Sequence, residues 1–163
     1  MEFQVNIQGL YIDRQIGEPV IVLKEKNGTR TVPIWIRMNE MFPLALSMAG
    51  EKYRPQRPLA HDLIKTIVHN LHAQVRQAVI VDIKDHIYTA RLHLSSPQTQ
   101  LTLDARPSDA ILLALKFEAP IFVEDQVAQK QTQLAEIAGQ TPESLLNRLQ
   151  AFRPEDFIDS SIG

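Results

Sequence analysis

The sequence predicts an α+β fold: mixed sheets built from a duplicated strand–strand–strand–helix unit, followed by a C-terminal helical tail. Three observations predict it. The first half alternates apolar and polar residues, then changes to a helical period. A shift of 69 residues lays that half on the second without a gap. Gln8 falls on Gln77, Asp13 on Asp82, Leu23 on Leu92 and Arg37 on Arg106; Leu44-Ala45-Leu46 falls on Leu113-Ala114-Leu115, and Glu40 on Asp109. After Glu124 the composition turns polar and glutamine-rich.

The elements follow in order. Phe3 to Ile12 alternates, with Phe3, Val5 and Ile7 on one side and Gln4, Asn6 and Gln8 on the other. Pro19 to Glu25 carries a buried run, Val20-Ile21-Val22-Leu23. Asn27-Gly28 signals a two-residue hairpin, and Arg30 to Ile36 is its return strand. Glu40 to Ala49 is a helix stopped by Gly50, with Pro43 near its start. Lys52 to Arg57 is a basic loop. Pro58, at the favoured first position, opens a helix running to about His72. Leu63, Ile64, Ile67, Val68 and Leu71 fill one arc of it; His61, Lys65, His69 and His72 lie opposite.

The second half repeats the plan. Val75 to Ile83 and Ile87 to Leu94 are strands around the turn Lys84-Asp85-His86. Gln100 to Asp104 is a short strand, and Pro107 to Phe117 a helix apolar nearly all round, hence buried. Pro120 to Val123 is a last short strand. Gln126 to Ala138 is helical. Thr141 caps a further helix running to Phe152, whose Leu145, Leu146 and Leu149 need something to pack on. Arg153 to Gly163 reads as a tail. One domain over residues 1–127, with internal repeats 3–49 and 72–118, therefore carries a helical extension over 128–163.

Composition removes several function classes. The chain has 163 residues, 44 % of them hydrophobic, and no cysteine. That excludes disulfides, thiolate metal sites and a cysteine nucleophile. No apolar run approaches the length of a membrane span, and no basic-then-apolar leader opens the chain, so a cytoplasmic protein is expected. The net charge of −2 divides unevenly. Residues 1–117 hold 14 Lys/Arg against 11 Asp/Glu, and the remainder 3 against 8, giving a mildly basic body and an acidic tail. No dinucleotide loop, P-loop or nucleophile elbow is present.

Two clusters can carry chemistry. Asp104-Ala105-Arg106-Pro107-Ser108-Asp109 joins a short strand to the buried helix. Its carboxylates suit Mg²⁺ or Mn²⁺, and its arginine suits a phosphate at a helix N-terminus. Such a set serves phosphodiester hydrolysis; it equally serves plain helix capping. Arg57-Pro58-Leu59-Ala60-His61-Asp62 again sets Arg-Pro at a helix start, with a histidine beside a carboxylate as a general base or a solvated first turn. Trp35, between Ile34 and Ile36, points to the other sheet face, towards a partner or a groove.

These clusters, with Pro33-Ile34-Trp35-Ile36, Glu40, Ala110, Ala114-Leu115 and Ala119-Pro120-Ile121-Phe122-Val123, resemble the bifunctional nuclease domain family of bacteria and plants. Pro154-Glu155-Asp156-Phe157 resembles an ending common in bacterial members. The chain departs from the family pattern at Arg37, where glycine is usual, and at Ala60, where threonine is usual. The resemblance implies a mixed α+β domain and a metal-dependent nuclease acting on DNA and RNA. Asp104 and Asp109 would be its metal ligands, and His61, Asp62 and Asp109 its catalytic groups. Arg57, Arg106 and Ser108 would bind substrate, with Mg²⁺ or Mn²⁺ as the ion. The alternatives are a non-catalytic oligomeric interaction module, or a nucleic-acid-binding module using Lys52, Arg54 and Arg57. Exposed sheet edges, Trp35 and the last helix further imply a homodimer or higher homo-oligomer.

Overall fold

Apolar alternation makes each half of the chain a three-stranded antiparallel meander, and the change of period at its end makes a helix. The computed structural model describes residues 1–156. In it, β1 (Glu2–Asp13), β2 (Glu18–Glu25) and β3 (Thr31–Trp35) pair in sequence order and lead into α1 (Met38–Ala49). After α2 (Ala60–Asn70), the strands β4 (Gln74–Lys84), β5 (Ile87–Ser95) and β6 (Gln100–Ala105) do the same and lead into α3 (Pro107–Lys116).

A four-residue strand joins the halves. β7 (Ile121–Glu124) runs antiparallel to β1 and parallel to β4, giving one mixed sheet in the order β3-β2-β1-β7-β4-β5-β6. The sheet curls strongly. Tyr88 on β5 donates its hydroxyl to the Pro33 carbonyl on β3 at 3.1 Å, although the four strands β2, β1, β7 and β4 lie between them in the sheet order. Gln131 of α4 (Asp125–Ile137) donates to the same carbonyl and to the Tyr88 oxygen, at 2.7 and 2.6 Å. Inside the curl lies one core. Leu10, Ile21, Leu23 and Ile34 from the first half meet Ile80, Ala90 and Leu92 from the second, under Met41 and Leu44 of α1 and Ile111 and Leu112 of α3.

Several local expectations change. The loop at Asn27-Gly28 spans four residues, closed by the Glu25 amide donating to the Arg30 carbonyl at 2.9 Å. A Cβ at Gly28 would fall 2.2 Å from the Glu25 carboxylate, which turns under the loop to take three hydrogen bonds from Arg30, so a side chain there would have to displace that carboxylate. α2 starts two residues after Pro58. Its apolar arc does not enter the core: Leu63, Ile64, Ile67 and Leu71 are 39–68 % exposed, and only Val68 of the set packs inward.

The last helix is shorter than its leucine pattern implies. α5 (Pro142–Arg148) gives way to β8 (Leu149–Phe152), which pairs antiparallel with Leu10–Asp13 of β1. β7 covers β1 only from Glu2 to Val5, so the far half of β1 has an open edge, and ladder hydrogen bonding there overrides helical propensity. The Trp35 indole donates to the buried Asp13 carboxylate at 3.0 Å. Of the tail and the Pro154–Phe157 motif, residues 157–163 lie outside the described residues. No helix is long and apolar enough to cross a membrane among the described residues.

Candidate functional site

Two helix N-termini meet at the seam between the repeats. In α1, Glu40 sits in the first turn, and its Oε2 accepts from the Arg37 amide at 2.7 Å. In α3, Arg106 is the residue before the helix and Pro107 its first position, where a missing N–H costs nothing. Arg106 bridges the two. Its Nε donates to Asp109 Oδ2 at 2.8 Å, and its NH1 lies 3.2 Å from Glu40 Oε1. The Ser108 hydroxyl, 4 % exposed, donates to the same Glu40 oxygen at 3.0 Å.

α2 adds the histidine. Its N-terminus is fixed by Asp62, whose Oδ2 accepts from the Leu59 amide at 3.0 Å and whose Oδ1 takes Lys116 of α3 at 2.6 Å. That anchorage sets His61 Nε2 at 2.8 Å from Asp109 Oδ1. Burial pushes the Asp109 carboxyl up, but hydrogen bonds from Arg106 and His61 outweigh it and hold the group below the ordinary carboxylate range. Asp109 is therefore ionised at neutral pH. The ring nitrogen facing it must then carry the hydrogen, which leaves the lone pair of a neutral His61 on Nδ1. Asp62 is also held low: burial raises it, and Lys116 and the Leu59 amide more than reverse that.

Beside this chain of contacts lies a cleft of about 800 Å³ between α1, α2 and α3. His61 and Asp62 line it, with Arg54, Lys65, His69 and Lys116 adding cationic or titratable groups and Leu46 and Leu112 an apolar floor. The two Arg-Pro clusters, 48 residues apart at His61 and Asp109, thus meet at that one contact, with the first cluster's His61 and Asp62 lining the cleft.

Sequence comparison supplies the family. The profile of the bifunctional nuclease domain matches residues 21–136, most of the chain. The chain belongs to the bifunctional nuclease domain family. An uncharacterized protein of Mycobacterium tuberculosis is 30 % identical over 158 residues, covering 96 % of this chain and 93 % of that one. Bifunctional nuclease 1 of Arabidopsis thaliana is 30 % identical over 126 residues. Bifunctional nuclease 2 of Oryza sativa subsp. japonica is 29 % identical over the same length. Both alignments take in 76 % of this chain and 38 % of the plant protein.

The family motif residues divide in the structure. His61, Asp62, Arg106, Ser108 and Asp109 gather at the seam. Ser108 is buried and committed to Glu40, so it holds the cluster together instead of facing a substrate. Arg57 is exposed and lies outside the residues lining the cleft. Asp104 is on β6 opposite Arg91, and the neighbouring pair Leu92 and Leu103 puts Leu92 in the core. Alternation therefore turns Asp104 to the opposite sheet face from Asp109. The two aspartates do not form a chelate, both Asp109 oxygens are taken, and among the described residues no group of three or more His, Asp and Glu is arranged for a metal ion. The donor set does not fit Mg²⁺ or Mn²⁺. Glu40 is the residue that reading motif by motif left out of the site. Its signal was present: the 69-residue shift lays it on Asp109.

Proposed function

We propose that this bifunctional nuclease domain hydrolyses phosphodiester bonds of DNA and RNA in the α1–α2–α3 cleft. The observation that carries the reading is the chain His61–Asp109–Arg106, joined at 2.8 Å in both links, of which His61 lines the cleft. Nuclease relatives in plants support the substrate class. Asp109 orients the imidazole and stabilises its cationic form. His61 Nδ1 takes a proton from water as the water oxygen attacks phosphorus. The P–O bond to the departing sugar oxygen breaks, and solvent protonates that oxygen. Arg106, with a 61 % exposed side chain, is held by Nε and NH1 and offers its remaining nitrogen to a phosphate oxygen. Lys65, Arg54 and Lys116 lie along the path of the strand. No step is routed through a metal ion.

The test uses wild-type, His61→Ala and Asp109→Asn proteins purified in parallel, assayed on labelled single-stranded DNA and RNA with and without EDTA. We expect cleavage by the wild type that survives EDTA. The variants should lose on the order of 100-fold or more in kcat, the usual worth of a positioned general base. Equal cleavage by all three proteins would mark a contaminant and leave a non-catalytic module.

A further inference from the structure

The edges of the sheet are finished differently. At β3, the edge residue Pro33 has no N–H, and its carbonyl is taken by Tyr88 and Gln131. That edge is closed by the fold itself. At the other end, β6 pairs with β5 alone, in register without a bulge, and Gln100 to Asp104 are all exposed. It carries no lysine or proline to discourage pairing. Leu101 and Leu103, 51 % and 45 % exposed, stand opposite Leu94 and Leu92 and so continue the core face of the sheet beyond the last covered strand.

From this edge we infer that the protein forms a two-fold dimer through antiparallel pairing of β6 with β6 of a second copy. The strand is self-complementary in one register. Centred on Thr102, it sets Leu101 against Leu103 of the copy, and Leu103 against Leu101. Gln100 then meets Asp104, so no like charges oppose each other. A dyad normal to the sheet keeps both core faces on one side, so the four leucines close on one another. The exposed stripe of α2 lies near the same end of the edge. Leu71 ends that helix four residues before Val75, which shares a row with Leu94 and Leu101. Two strand spacings separate Val75 from Leu101, about 10 Å. The occupant is a second copy because the two-fold supplies the matching strand without any further requirement.

The absence of cysteine gives a clean test. Thr102→Cys puts a thiol on the dyad, opposite its own copy, where directly paired residues stand at roughly the Cα spacing that a disulfide needs. Under mild oxidation it should run as a covalent dimer, and Gln98→Cys, off the dyad, should not. Light scattering of the wild type should give twice 18.5 kDa. Leu103→Lys should return the mass of one chain with an unchanged circular dichroism spectrum. The double variant Leu101→Glu/Leu103→Lys should restore a salt-sensitive dimer, because each new charge faces its opposite. A wild type of single-chain mass at high micromolar concentration overturns the inference. So does a dimer indifferent to Leu103→Lys, or cross-linking by Gln98→Cys in place of Thr102→Cys.

Discussion

Glu40 and Asp109 occupy the same position in the two repeats and do different work. Glu40 keeps the capping role, accepting from the Arg37 amide, and uses its second oxygen to collect Ser108 and Arg106 from the other repeat. Asp109 has given up the equivalent cap, and both its oxygens hold side chains. At Asp109 one oxygen is taken by His61, which α2 brings to α3, and the other by Arg106. Removing the Glu40 carboxylate leaves a buried serine hydroxyl without an acceptor. Glu40→Ala should therefore cost about 1–3 kcal/mol. Glu40→Gln, which keeps an oxygen for Ser108, should cost less. Urea denaturation of the two variants checks the order, and a larger loss for Gln than for Ala would contradict it.

Besides its strand pairing with β1, the C-terminal clasp of α5 and β8 is held by one buried charge. Asp13 is fully buried and accepts from Trp35, from Arg148 at 2.6 Å and from the Gln15 amide. Burial pushes its carboxyl up, but the hydrogen bonds from Trp35 and Arg148 outweigh that and set it below the ordinary 3.8. A carboxyl lower in the folded than in the unfolded chain contributes stability above the unfolded pKa, and loses it as pH falls through the folded one. The protein should thus be acid-labile below about pH 4, with the contribution level above about pH 5. Arg148→Ala leaves the charge buried without its counter-ion and should cost on the order of 3 kcal/mol at pH 7. Asp13→Asn should flatten the acid limb. Denaturation midpoints measured from pH 3 to pH 7 read both effects.

At the scale of the whole molecule, the curl of the sheet is locked where β5, β3 and α4 meet. Burial pushes the Tyr88 phenol up to about 12, against the opposing pull of Gln131. It therefore stays a neutral donor to the Pro33 carbonyl throughout the physiological range. Tyr88→Phe removes that donor and the acceptor for Gln131, and should lower stability by about 1–2 kcal/mol. The same variant should abolish the highest tyrosine step in an alkaline absorbance titration. A variant as stable as the wild type would mean that core packing alone closes the curl.

The sequence by itself determined the local order of the molecule. Period-2 and period-3.6 patterns are set by which side chains face the core, so the repeated strands and their helices were readable residue by residue, as were the family motifs. Tertiary structure decided what those patterns share. Only the fold shows that Glu40 and Asp109 meet across a seam, because hydrogen bonds between residues far apart in the chain leave no spacing signal. Only strand alternation in the folded sheet separates Asp104 from Asp109, five residues away. The stripe of α2 reads as core from its period, yet it is exposed, since amphipathicity states that a face must be covered but not whether the same chain covers it. Likewise Leu149 to Phe152 reads as helix until the open half of β1 offers it hydrogen bonds. Propensity is a difference of tenths of a kcal/mol per residue, and an unpaired strand edge outweighs it.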